Sequence, residues 1–423
     1  MRGSYPRGMA ITERARRLDT TLCAIAPSVK VLSRLSWPES VITEFLHSWR
    51  RGEPHIPEVS YSLSGLPSDA QRDLERIRDE AAPDDPVEGY LKATADSYAK
   101  AVELVSRAGT PAFLELSRAL YGDPYARLPG THLTHFEAAQ QLLDITAPWA
   151  AACRGEEQLS CMTAEHVRAE IQSRLDPFFS DHPINVVIDP RLTSKAAAAA
   201  RRIRIRGKSS YTEADIDQLL EHEAFVHAAT ALNGKLQPIQ AFGLAAPRTT
   251  ATQEGLATIA ELITGSMDLS RLRRLALRII AVKHVIEGAD FVEVFRYFLR
   301  AGQSEDESAR SAARVFRGGD PHGRIAFTKD VVYLHGLIGV HTFLRRAIFD
   351  SRIELIPRLF AGRVTLGDVL RLDSAFEEGD LLPGRYITHW AADARRLAAH
   401  LSFSLILNRI KLENVDLETI LKN

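Results

Sequence analysis

The chain has 423 residues, 45% hydrophobic and 25% charged, an ordinary globular composition long enough for two or three cores. Its formal net charge of -1 provides no global field for nucleic acid or an anionic membrane. No apolar run reaches the roughly 18 residues of a membrane span, and the opening MRGSYPRGMAITERARRL lacks the apolar core of a secretory signal, so a cytoplasmic protein is expected.

From about Ile11 to Leu175 the pattern is almost wholly helical. Pro86–Gly109 carries apolar residues at three- and four-residue spacing and stops at a glycine. Glu39 or Ser40 to Trp49 predicts another amphipathic helix, and Thr134–Ala152 one more, with a break at Pro148. Linkers fall at Gly52–Pro57, Ala82–Pro86 and Gly122–Pro129, where Pro, Gly and Asp gather. His55, His132, His135 and His166 are scattered through this region and are expected as surface or capping histidines. Cys23, Cys153 and Cys161 match neither a disulfide framework nor a zinc knuckle and read as reduced, mostly buried thiols.

The texture changes near Pro183. The β-branched run Ile184–Pro190 ends in a turn dipeptide and predicts a strand. Arg202, Ile203, Arg204, Ile205 and Arg206 alternate with period two, which predicts a half-buried strand with one apolar and one cationic face. The alanines before it fit a helical turn or a flat strand. Thr212, followed by Glu213 and Asp215, caps a helix. Its apolar face is Leu219, Leu220, Phe225, Val226 and Leu232, and Asn233–Gly234 is its expected stop. Lys235–Ala251 has two prolines and no period and reads as a loop, and Gln253–Ser266 is a second helix ended at Gly265. Wide apolar faces from Asp268 onward predict a packed helical layer. Further helices follow Ser351 around the turn Leu381–Tyr386, with an exposed tail after Asn414. The fold class expected is mainly α with a small β-sheet (α+β). It divides into an N-terminal helical region (1–175), a core (176–350) and a C-terminal helical region (351–423) packed on that core.

The chemistry concentrates on the two central helices. His222, Glu223 and His227 read His-Glu-x-x-x-His, and Glu254 opens the next helix. Two imidazoles and a carboxylate leave one position open on a zinc ion, with Glu223 beside them as a base. The usual zincin box has one residue fewer and sets both imidazoles on one face. Here five steps of about 100° leave them roughly 140° apart on a regular α-helix. A π-bulge near Ala224–His227 would restore a common face through its i→i+5 turn. Without it the pattern fits a buried amphipathic helix with two unrelated histidines. Glu261, two turns after Glu254, suits an acceptor for a ligand imidazole or, equally, an exposed helix charge.

Cations lie on both sides of the box. The strand bearing Arg204 would be an exposed edge for pairing with a peptide main chain, unless its arginines serve solubility. Arg314, Arg317, Lys329 and Tyr333 stand among glycines in an apolar context. A carboxypeptidase needs a cation for the substrate's terminal carboxylate and a donor for the oxyanion. Lys329 or Arg317 suits the first and Tyr333 the second; surface cations and a core tyrosine are the alternative. His335 and His341 are not expected as ligands.

The segments EHEAFVHAATALNGKLQP and TQEGLATIAELITG, with KD-x-x-Y-x-x-G, resemble the bacterial QEGLA-motif proteins, known as flavohemoglobin-expression-modulating. These are similar to the eukaryotic microtubule-associated tyrosine carboxypeptidases, a family of zinc metallopeptidases. The resemblance runs from about Val186 to Gly336. It implies a zincin-like core with an active-site helix and Zn2+ held by His222, His227 and Glu254. It also implies Glu223 as the catalytic glutamate and release of a C-terminal residue, tyrosine in the eukaryotic members. Glu221 departs from the bacterial pattern, which often has a histidine there, and adds negative charge near the metal. No basic extension for docking on an acidic cytoskeletal polymer is evident. The expectation is a zinc metallocarboxypeptidase acting on a peptide or protein C-terminus, with neither nucleic acid nor membrane as partner. The alternatives are an endopeptidase maturing a precursor peptide and a non-catalytic regulatory protein with a vestigial metal site.

Overall fold

The structure, a computed structural model, describes residues 11–61, 68–152, 162–190, 192 and 194–407. The opening stretch before Ile11, Cys153, Cys161 and the expected tail after Asn414 lie outside the described residues. Among the described residues no helix is long and apolar enough to cross a membrane.

The chain is mainly helical with one small mixed sheet, the α+β class expected. It begins with α1 (Glu13–Ile25), α2 (Glu39–Arg50), α3 (Ser68–Glu80), α4 (Pro86–Ser106), α5 (Pro111–Tyr121), α6 (His135–Ala152) and α7 (Ala164–Phe178). α4 starts where the linker ends: Asp85 accepts from the N–H groups of Val87 and Glu88, and Pro86 fills the first position, where no N–H is needed. α6 runs through Pro148 without the expected break. Pro148 and Asp144 are both exposed, on the side of the helix where a carbonyl left unbonded by the ring costs least. His55, His132 and His166 are exposed, but His135 is buried, with Nε2 lying 2.8 Å from Nδ1 of His335.

The sheet comprises β1 (Asn185–Asp189), β2 (Ala196–Ala199) and β3 (Arg202–Arg206) in the order β1-β3-β2. β1 runs parallel to β3 and β2 antiparallel, setting Val186 beside Ile203 and Ala196 opposite Ile205. The alanine run is therefore a strand. Its small side chains share the buried face of Ile203 and Ile205, on which α7 packs, while the arginines alternate to the other face. Because β3 is paired on both sides, Arg202–Arg206 is the central strand and not the exposed edge expected for it. The edge beside the next helix is β2.

That helix, α8, joins an α-helical turn (Glu213–Leu219), a π-helical stretch (Leu220–Ala228) and a second α-helical part (Ala229–Leu236). Thr212 and Asp215 cap it reciprocally. It does not stop at Asn233–Gly234 but at Gln237, which precedes Pro238 and is driven out of the helical region. The Asn233 side chain instead donates to the carbonyls of Phe360 and Tyr386 and accepts from the N–H groups of Arg385 and Tyr386. Gly234 is required because the backbone of Phe242 passes where a Cβ would stand. The returning loop is braced by the N-terminal helices. Asp19 of α1 accepts from the N–H groups of Gln240 and Ala241, and Tyr90 of α4 stacks on Phe242 at 4.2 Å.

α9 (Thr250–Thr264) ends at left-handed Gly265 and is followed by α10 (Leu269–Glu287), α11 (Phe291–Arg300), α12 (Glu305–Phe316) and α13 (Val331–Phe349). α9 and α13 approach closely at Gly255 and Gly336. A Cβ on Gly255 would run into the Gly336 carbonyl, and one on Gly336 into that of Ala251. The glycine of QEGLA and that of KD-x-x-Y-x-x-G therefore meet at one helix crossing. α8 lies between two apolar layers. Leu220, Ala224 and Ala228 share a cluster with the sheet and α7, and Val226 belongs to the cluster formed with α9, α13 and the N-terminal helices.

Candidate metal centre

The π-helical stretch absorbs the extra residue between the two histidines. With i→i+5 bonding, five residues make about one turn, so His222 and His227 share a face. Their rings meet edge to face with centroids 4.7 Å apart. Glu254, just past the first turn of α9, completes the group: one ligand atom from each of His222, His227 and Glu254 lies within 4.8 Å of the others.

The donor set fits zinc. Ligands about 2.1 Å from a tetrahedral ion stand about 3.4 Å apart. Glu254 Oε2 lies 3.4 Å from His222 Nε2 and 3.6 Å from His227 Nε2. That oxygen is buried without a hydrogen-bond partner, a costly state for a carboxylate unless a cation sits against it. Burial would raise the Glu254 pKa, but Lys329 and the two histidines hold it well below the usual carboxylate range. Burial would likewise lower His222; Glu254, Glu261 and Glu223 outweigh it and push it up to about 10. So much negative charge around a buried imidazole is what a bound cation would balance.

Behind His222 lies Glu261, fully buried, so it is not an exposed helix charge. Its Oε1 is 2.6 Å from His222 Nδ1, and Arg271 of α10 grips both of its oxygens. Gln218 adds a bond at 3.3 Å. Glu261 thus accepts the Nδ1 proton of His222, and Nε2, on the Glu254 side, is the nitrogen a metal would take in place of its proton. Arg271 was not legible in the sequence, because nothing ties a guanidinium at the start of one helix to a carboxylate late in another.

Glu223 lines a cleft of about 810 Å³ that also receives His222, His227, Glu254, Arg204, Arg314, Arg317, Lys329 and Tyr333. Their couplings differ. Arg204 is paired with Asp189 at 3.2 Å. Arg314 binds Asp330 through both oxygens, and the pair keeps Asp330 ionised below its usual range despite burial. Lys329 reaches Glu254 Oε1 at 3.3 Å, and its ammonium sits 5.3 Å from the Tyr333 ring centre. Among the described residues no carboxylate stands within ion-pair distance of Arg317; burial and Arg314 push it down to about 10.

Arg363, absent from the sequence reading, also lines the cleft. It donates to the His227 carbonyl at 3.3 Å, and its Nε is buried without a partner. Glu221 lies elsewhere: it lines a separate cavity of about 400 Å³ with Phe178, Phe225 and Trp390. Burial, Asp217 and Glu261 push its pKa up to about 7.

The family model described as microtubule-associated tyrosine carboxypeptidase matches residues 43–409 of this chain. No curated protein matches it.

Proposed function

The chain belongs to the microtubule-associated tyrosine carboxypeptidase family, and from that premise we propose that it is a zinc-dependent metallocarboxypeptidase with a zincin-like core. The supporting observation is the convergence of His222, His227 and the unpartnered Glu254 oxygen at the wall of a cleft that also holds Glu223. The QEGLA segment, which supplies Glu254, favours the bacterial branch that the sequence resembles. A zinc ion held by these three residues would supply a Lewis acid that acidifies water and polarises a carbonyl.

The chain's own groups then divide the work. Glu223 takes a proton from the attacking water and delivers it to the departing amine. Arg317, whose buried charge has no carboxylate partner among the described residues, binds the substrate's terminal carboxylate. Tyr333, on the same wall, donates its hydroxyl to the oxyanion. Arg204 borders the cleft on the sheet side, where the edge strand β2 can pair with the peptide main chain. Tyr98, Tyr121 and Phe327 give the cleft an aromatic wall suited to a bulky C-terminal side chain. The substrate is a peptide or protein C-terminus in the cytoplasm.

Mass spectrometry of a peptide library tests this reading. Loss of single C-terminal residues is expected, with about one zinc per chain. Glu223→Gln should keep the metal and abolish hydrolysis, so activity surviving in that variant refutes the mechanism. Internal cleavage would replace the carboxypeptidase reading with an endopeptidase.

A further inference from the structure

The two oxygens of Glu254 have opposite surroundings. Oε2 faces both imidazole Nε2 atoms and has no hydrogen-bond partner. Oε1 takes the Lys329 ammonium at 3.3 Å. Lys329 is itself firmly placed. It lies in a single 3-10 turn, Thr328–Asp330, at the head of α13. On one side the Thr328 N–H donates to Ser117 Oγ at 2.8 Å. On the other, Asp330 is held by Arg314 at 2.6 Å. With Asp330 engaged by Arg314 and by Arg278 at 3.8 Å, Glu254 is the carboxylate that pairs with Lys329 among the described residues.

We propose that Lys329 fixes Glu254 as a one-oxygen ligand and so preserves an open position on the metal. The inference rests on the metallopeptidase reading above. A carboxylate beside a divalent ion can bind through one oxygen or through both, and the second oxygen competes with water and substrate for the remaining site. Swinging Oε1 onto the ion would strip a buried ammonium of its ion pair, which is strongly unfavourable. Lys329 is thus a positioning residue, not the anchor for the substrate's carboxylate, and that task falls to Arg317. The arrangement also gives a physical reason for KD in KD-x-x-Y-x-x-G: the lysine restrains a metal ligand, and the aspartate holds the arginines packed beside that lysine.

Cobalt substitution tests this without relying on turnover, because four-coordinate cobalt(II) absorbs visible light several-fold more strongly than five-coordinate. The wild-type protein should give the intense four-coordinate spectrum. Lys329→Met should give the weak five-coordinate one, and Lys329→Arg, which retains a cationic donor, should restore the intense bands. Failure of the wild-type chain to take up about one cobalt or zinc would overturn the metal site itself. Normal uptake with identical spectra in wild type and Lys329→Met would overturn the role of Lys329 and leave the metal site standing. Should Lys329→Met fail to fold, X-ray absorption on the zinc-loaded wild type decides. A four-atom first shell supports the proposal, and a fifth, longer carboxylate oxygen refutes it.

Discussion

Replacing Glu261 by Gln should weaken zinc binding by about 10- to 100-fold. In the structure Glu261 Oε1 lies 2.6 Å from His222 Nδ1 while Arg271 holds the same carboxylate at 2.6 Å. An amide offers one acceptor where the carboxylate offers two. If the amide oxygen stays with Arg271, its NH2 faces Nδ1 and drives the imidazole proton to Nε2, the atom turned toward Glu254. If the amide flips, the NH2 meets the Arg271 guanidinium. Either orientation forfeits one charge-assisted hydrogen bond, about 1.5–3 kcal/mol, which corresponds to the same 10- to 100-fold at about 1.4 kcal/mol per decade. Competition against a chromophoric chelator measures the dissociation constant, and circular dichroism confirms the fold. The double variant Glu261→Leu with Arg271→Met separates affinity from stability: removing both buried charges should restore the unfolding midpoint while zinc affinity stays low. A folded Glu261→Gln protein that binds zinc as tightly as wild type would refute the assigned role.

Gly255→Ala should destabilise the protein by about 1–3 kcal/mol through overpacking, because the new Cβ runs into the Gly336 carbonyl at the α9–α13 crossing; an unchanged urea midpoint would contradict that close approach. Acidification should also weaken the fold. Burial lowers the pKa of both His135 and His335, which face each other at 2.8 Å. Unfolded histidines take up protons near pH 6.5. Below that pH these two sites therefore bind more protons in the unfolded chain than in the native one, and their contribution to stability falls by up to about 1.4 kcal/mol per pH unit for each histidine. Urea titrations on either side of that pH should show a smaller loss in His335→Gln than in wild type, and equal losses would exclude the pair as a source.

What the sequence by itself determined was local. The alternation Arg202–Arg206 implied a strand, Gly265 ended a helix, and the awkward spacing of His222 and His227 required a π turn, because each is a property of a few consecutive residues. The group His222, Glu223, His227 and Glu254 was legible because two adjoining helices carry it, although the loop between them had to fold back correctly. What only the tertiary structure decided was how buried charges pair and which strand lies at the edge. Arg271 meets Glu261 from another helix, and Lys329 reaches Glu254 from 75 positions away. Arg317 is left without a carboxylate because Asp330 is spent on Arg314, and Glu221, though adjacent to His222, lines the other cavity. Periodicity reports which face of an element is apolar. It carries no information about which of several cations across a low-dielectric interior will find a given carboxylate, since that depends on distances set only when the helices pack.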